Sequence, residues 1–408
     1  MKLSASNGFY AFWIASTNTY FGTYVTTFVL QVLIVVHLDG SALDVGWINA
    51  SRWLPYVFLG LIVGVLIDRT NRQLVIATTD ICRGILLILI FLLYSFDKLN
   101  IINIASLMIL FGILSIFNDS AFQSFLPQLV PRQLLTKANA RLEQSGAVAE
   151  TSGPALAGWV TSLITAPFTI VINSASYFLS GIIITFIKHP PKTSPISTLT
   201  FNQLLKEGIN WVYGHKNLRI LAFNTHIWFL FHSMTTTVLI TYVLIELGLN
   251  SFILGVTLSS AGIGAVVGAT YAPKIGIKLG TGKAISIARL LYFPAVILII
   301  LAQPVQTNWI TGAIIILMIG QFIYGLAMGI EGPNEMGYRQ SITPLQLQGR
   351  MNTTIRSINR SMIIVGAPLA GLIADEIGSR NVLGISATGL VICATWLFLS
   401  PIRNVKID

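Results

Sequence analysis

The residues with the greatest chemical reach are ionisable side chains stranded inside long apolar runs. Glu150, Asp119 and Glu331 lie in such runs, as do Asp80, Arg52, Arg83, Arg289, Arg356 and Arg360. An ionised group at mid-bilayer costs at least about 2.5–3.5 kcal/mol, so each needs a partner, a wet cavity or a shifted proton affinity. Asp80 and Arg83 are three residues apart, which lets them meet on one helix face as a structural pair. Glu150 reads either as a proton carrier or as half of a structural salt bridge. Asp119 and Glu331 read as proton or cation sites, or as acids in the inner headgroup region. Arg356 and Arg360 stand one helical turn apart and suit an acid or an anionic solute.

Neutral polar side chains accompany them. Asn18, Tyr24 and Gln31 in the first apolar run, with Asn224, His226, Trp228 and Tyr242 in the seventh, are candidates for the wall of a substrate cavity. Histidine titrates near neutral pH, although a hydrogen-bonded structural role is the other reading of His226. No nucleophile–base pair, phosphate loop or metal-ligand spacing emerges, so neither enzymatic chemistry, a cofactor nor a metal is expected. Cys82 and Cys393 fall inside apolar runs and read as small buried hydrophobes.

The elements that must position these groups are membrane helices. The 408 residues are 54% hydrophobic and only 10% charged, and the mean hydropathy is +0.76. A soluble domain carries roughly a quarter charged residues. Runs of about twenty apolar residues point to helices rather than barrel strands, and about twelve such runs are expected between Phe9 and Ser400. Those around Glu150 and Arg356 are the most polar, and a strict hydropathy threshold is expected to miss them. Placing the N-terminus inside puts about eighteen of the 25 lysines and arginines in cytoplasmic loops, so both termini are expected there. The net charge of +10 thus reports topology and not a nucleic-acid partner.

The chain also repeats itself at a constant offset. Pro131, Gln133, Leu134 and Asn139 match Pro344, Gln346, Leu347 and Asn352. Gly153, Leu156, Ala157 and Gly158 match Gly366, Leu369, Ala370 and Gly371. Two parallel halves follow, residues 1–187 and 218–408, joined by a 188–217 linker. In the linker, Phe201, Leu204, Leu205, Ile209 and Trp211 form an amphipathic helix suited to the cytoplasmic membrane surface.

The segment Gly64, Asp68, Arg69, Arg72 resembles the signature cytoplasmic loop of the major facilitator superfamily. Arg52-Trp53-Leu54-Pro55, Asp80 with Arg83, and Leu129-Val130-Pro131 through Ala138-Asn139 narrow the resemblance. With Asn334, Gln340, Pro344, Gly349, Arg350 and Asn352, they are similar to the branch of macrolide-efflux and enterobactin-exporter-type proteins. The resemblance implies an all-α membrane protein of twelve transmembrane helices in two pseudo-symmetric six-helix bundles, acting as a monomer in the cell inner membrane. It implies proton-driven export of drugs, siderophores or other amphipathic metabolites, with the small solute, protons and the bilayer as partners. Uptake or facilitated diffusion on the same fold is the alternative. A cytoplasmic gate is implied at Asp68, Arg69 and Arg72 against the helix beginning near Arg350. Gly153, Pro154 and Gly158 resemble the bend of antiporters, departing from it at Ala149. The branch commonly carries a Gly-Asp pair in its first helix; here Gly22-Thr23 replaces it, and that helix holds no acid.

Overall fold

The computed structural model describes residues 8–68, 70–130, 135–187, 201–304 and 309–406, and these are almost entirely helical. In chain order the first helices are α1 (Phe9–Val32), α2 (Ala42–Asp68), α3 (Arg72–Ser95), α4 (Ile101–Leu129), α5 (Leu135–Ile164) and α6 (Ala166–Thr185). There follow α7 (Phe201–Gly214), α8 (Lys216–Thr241), α9 (Ser251–Leu279), α10 (Thr281–Ile300), α11 (Ile310–Ser341), α12 (Leu345–Ile377) and α13 (Ser379–Leu399). Both α1 and α8 end in one widened π-helical turn, Leu33–His37 and Tyr242–Glu246.

Local chemistry sets many of the ends. Asn71, Asn100 and Asn250 each accept a backbone N–H three residues on, capping α3, α4 and α9. Gly280 and Gly378 stop α9 and α12 at φ of 89° and 88°, a region that favours glycine. Among the described residues, ten helices are long and apolar enough to cross a membrane: α1, α3, α4, α6 and α8 to α13. The polar α12 qualifies, against expectation, because the stretch after Arg360 is apolar enough to outweigh its start. Neither α2 nor α5 is among the ten. Exposed Ile, Leu, Val and Phe side chains occur along these helices, as lipid-facing surfaces require.

The chain divides into two compact units, one of residues 1–33 and 51–201, the other of 34–50 and 202–408. In the first unit α1 packs on α5 and α6, and α3 on α4 and α6. In the second, α9 and α10 pack on α11, and α8 on α12 and α13. The linker helix α7 belongs to the second unit. Its Val212 is buried with Leu218, Ala222, Met351 and Ile355, and Trp211 Nε1 donates to Thr343 Oγ1 at 3.1 Å. Segment 34–50 is held within that unit by Asp375 of α12, which accepts from the N–H groups of Ala42 (3.0 Å) and Leu43 (3.4 Å). A carboxylate at the N-terminus of α2 satisfies donors that the helix itself leaves open.

Candidate functional site

Each unit buries one cluster of charge. In the first, Asp80 and Arg83 pair along α3 and are 1% and 3% exposed. Asp80 Oδ2 accepts from Ser180 Oγ of α6 at 2.6 Å and from Thr19 Oγ1 of α1 at 3.4 Å. Asn118 Nδ2 of α4 donates to Asp80 Oδ1 at 3.1 Å. Arg83 lies over the Tyr177 ring, 5.0 Å from its centroid. Four helices are thereby tied to one carboxylate, which suits a buried charge whose lone pairs must all be satisfied.

The second unit gathers more charge around one guanidinium. Arg289 of α10 is fully buried, and its Nε donates to Glu331 Oε1 at 2.8 Å. Its Nη2 donates to Glu335 Oε2 at 2.9 Å and to Thr225 Oγ1 at 2.8 Å, while Nη1 donates to Asn224 Oδ1. Tyr292 Oη donates to the other Glu331 oxygen at 2.9 Å. Arg339 closes the set, 3.1 Å from Glu335 along α11. Two carboxylates and two guanidiniums balance formally. They are joined by hydrogen bonds at the ordinary lengths of charge-assisted pairs.

Beside this cluster lies a column of rings. Trp228 stacks on His232 with centroids 4.6 Å apart, and Tyr292 lies 5.3 Å from Trp228 and 4.8 Å from Tyr324. His232 Nδ1 and the Tyr324 hydroxyl are 2.7 Å apart.

The remaining candidates separate by environment. Glu150 on α5 is exposed and hydrogen-bonded by Tyr24 of α1, and Arg52 of α2 donates to Thr27 nearby. Asp119 on α4 is also exposed and accepts from Tyr56 Oη at 2.7 Å. Tyr24 lies against Gly153 on α5, where the kink-prone Pro154 and buried Gly158 follow. Asn18 turns toward α6 and donates to the Ser176 carbonyl. Gln31 is half-buried near the end of α1. Asn224 sits inside the Arg289 cluster, where its Nδ2 also reaches the Cys393 carbonyl at 2.8 Å.

Tyr242 donates to carbonyls of Ile299 and Ala302 at 3.2 and 3.1 Å. His226 joins three helices. Asn359 Oδ1 only accepts, so His226 Nδ1 carries a proton toward it at 2.6 Å, and Nε2 accepts from Tyr213 of α7 at 2.9 Å. Burial raises the Tyr213 hydroxyl above its ordinary pKa, which keeps it a donor. Arg356 is exposed and Arg360 half-buried on α12.

Arg350 at the start of α12 pairs with Glu207 of α7, and Arg72 is buried at the start of α3. Arg69 and the side chain of Asp68 lie outside the described residues. Among the described residues, no group of three or more His, Cys, Asp or Glu is arranged to hold a metal.

Glu335 and Arg339 were not singled out from the sequence. Their signal was present, since each follows the preceding ionisable residue of α11 by four positions, the spacing of facing side chains.

Comparison with known proteins places the chain. Macrolide efflux protein A of Streptococcus pyogenes is 22% identical over 392 residues, 94% of this chain and 93% of that protein. The staphyloferrin A transporter of Staphylococcus aureus is 23% identical over 374 residues, covering 90% and 89%. The crystal structure of the nucleoside transporter NupG superposes with a TM-score of 0.78 at 14% identity, over 98% of both chains, and shares the fold. The model of the transmembrane secretion effector family matches residues 4–408, so the chain belongs to that family of major facilitator superfamily transporters.

Proposed function

We propose that the protein is a proton-coupled secondary transporter that exports an amphipathic solute by alternating access. The observation that carries this reading is the Arg289 cluster, where Glu331 and Glu335 share one guanidinium inside a membrane-spanning helix bundle. Carboxylates in such a place mark proton relays. Here a proton arriving at Glu331 leaves Arg289 still paired with Glu335, so the charge changes by one without stranding a bare ion. Glu150 and Asp119 are further stations, because an exposed acid on a membrane helix needs a wet surface. Arg356 and Arg360 suit an anionic part of the solute. The macrolide and staphyloferrin relatives support an amphipathic cargo.

This reading takes α1 to α6 and α8 to α13 as twelve spans, with 188–217 as linker and both termini at the cytoplasmic face of the inner membrane. It takes Asp68, Arg69, Arg72 and Arg350 as the cytoplasmic gate. Inverted vesicles from an exporter-deficient host, energised by an imposed pH gradient, test it with erythromycin and ethidium as probes. Gradient-dependent accumulation of either probe is expected, with Asp68→Asn reducing it while insertion stays normal. Gradient-independent movement removes the proton coupling. The absence of an acid from α1 favours a second reading, uptake or facilitated diffusion. Net entry of probe into right-side-out vesicles without a gradient supports that reading instead.

A further inference from the structure

The first unit has a pocket on one side that the charge clusters do not use. Helices α5 and α6 meet at Thr165, which takes a left-handed φ of 71°, and α1 packs against both. Between the three lies a cavity of about 500 Å³, walled by Trp13, Phe21, Val25, Leu156, Val160 and Ile172 among others. That volume is in the range of a small-molecule site, about 300–1,000 Å³.

Three features define what fits. The mouth is apolar and open: Ile14, Leu156 and Ile172 are 52%, 43% and 58% exposed, and both α1 and α6 are helices fit to cross a membrane. The surroundings of such a mouth are lipid chains. Next, the walls are uncharged, since neither residues 9–36 nor 153–187 contain Asp, Glu, Lys or Arg. A phosphate or an ammonium group meets no counter-ion there. Lastly, polar groups within the pocket are already bonded to the protein. Asn173 Nδ2 donates to the Gly22 carbonyl (3.0 Å) and to Thr26 Oγ1 (2.6 Å), and Asn18 Nδ2 to the Ser176 carbonyl. Thr17 Oγ1 donates to the Trp13 carbonyl at 2.8 Å, and Trp13 Nε1 to Ser145 Oγ at 2.8 Å. Those bonds hold the helices together and leave few hooks for a hydrogen-bonding ligand.

We propose that this pocket seats one acyl chain of a membrane phospholipid, with the headgroup left outside at the bilayer surface. An apolar void open to hydrocarbon fills because its lining otherwise forfeits dispersion contacts. The proposal does not depend on the direction or coupling of transport.

Native mass spectrometry of the protein, reconstituted with phosphatidylglycerol and then stripped with a delipidating detergent, tests it. The wild type is expected to retain one phospholipid. Val160→Trp, which fills the pocket, is expected to lower the lipid-bound population about tenfold, the factor set by ~1.4 kcal/mol of binding. Leu163→Trp, on the exposed outer face of α5, is the control expected to keep it. If Val160→Trp fails to fold, Ile172→Trp at the mouth tests the same prediction. An unchanged lipid population in a folded filling variant overturns the proposal. So does displacement of the retained lipid by erythromycin or ethidium, which assigns the pocket to transported solutes.

Discussion

Each unit buries one charge cluster, and the two solve the same problem differently. In the first unit one carboxylate, Asp80, is surrounded by Arg83, Ser180, Thr19 and Asn118. In the second, two carboxylates one turn apart on α11 compete for Arg289, and Arg339 takes up what remains. One position is shared by the sequence repeat, because Asn118 and Glu331 are related by its offset. An amide there lets the first cluster close with a single ion pair. A carboxylate there adds a charge that a proton can remove. The first cluster thus works as a rivet around one ion pair, whereas the second is a balanced set of four charges from which a proton can remove one.

The sharpest way to break this contrast is to remove the guanidinium from each. Arg289→Met leaves Glu331 with Tyr292 as its donor and no cation, and takes one of two guanidiniums from Glu335, which keeps Arg339; removing one partner of a buried pair costs about 3–5 kcal/mol. Arg83→Met strands only Asp80, which keeps Ser180, Thr19 and Asn118, so a smaller loss is expected. Thermal unfolding of both variants in detergent measures the difference, and equal losses in the two variants remove the distinction.

A milder change separates stability from coupling. Glu331→Gln keeps the shape of the side chain and Tyr292 as a donor, at a cost of about 1–3 kcal/mol for the altered hydrogen bonding. It is expected to insert and fold, yet to lose the dependence of probe movement on the imposed pH gradient. Asp80→Asn is expected to retain that dependence. Loss of coupling in Asp80→Asn with none in Glu331→Gln reverses the assignment of rivet and proton site.

How much of this was legible beforehand follows from the range of each interaction. Asp80 and Arg83 could be paired from sequence because both partners lie on one helix, where a spacing of three fixes the contact. The convergence of Glu331 with Arg289 could not. The two residues lie on α11 and α10, with a loop between them, and no periodicity reports which faces of two helices meet. Asn224 illustrates the same limit. A polar residue in an apolar run needs a partner, but composition does not say whether water, solute or Arg289 supplies it. The helices themselves were plain, since apolar length is a local property. For α12 hydropathy proved more favourable than its arginines suggested. The linker helix was legible as amphipathic, but its docking was not: Tyr213 engages His226 of the next helix, α8, and Glu207 engages Arg350 of the distant α12.

The smallest predicted effects come from trimming one neutral donor in each cluster. Tyr292→Phe removes a single 2.9 Å bond to Glu331, worth about 1 kcal/mol of stability. Thr19→Ala removes a 2.8 Å bond between neutral hydroxyls, to Ser180 Oγ, and a 3.4 Å contact to Asp80, while Ser180 keeps its own 2.6 Å bond to Asp80, so a smaller loss is expected. The functional readouts are expected to part as well. Glu331 loses a donor that bonds its carboxylate directly, so the pH profile of transport is expected to move. Thr19→Ala is expected to leave that profile in place. Measured rates across a pH series decide between the two clusters: a shift in Thr19→Ala, with none in Tyr292→Phe, puts the titrating carboxylate in the first unit.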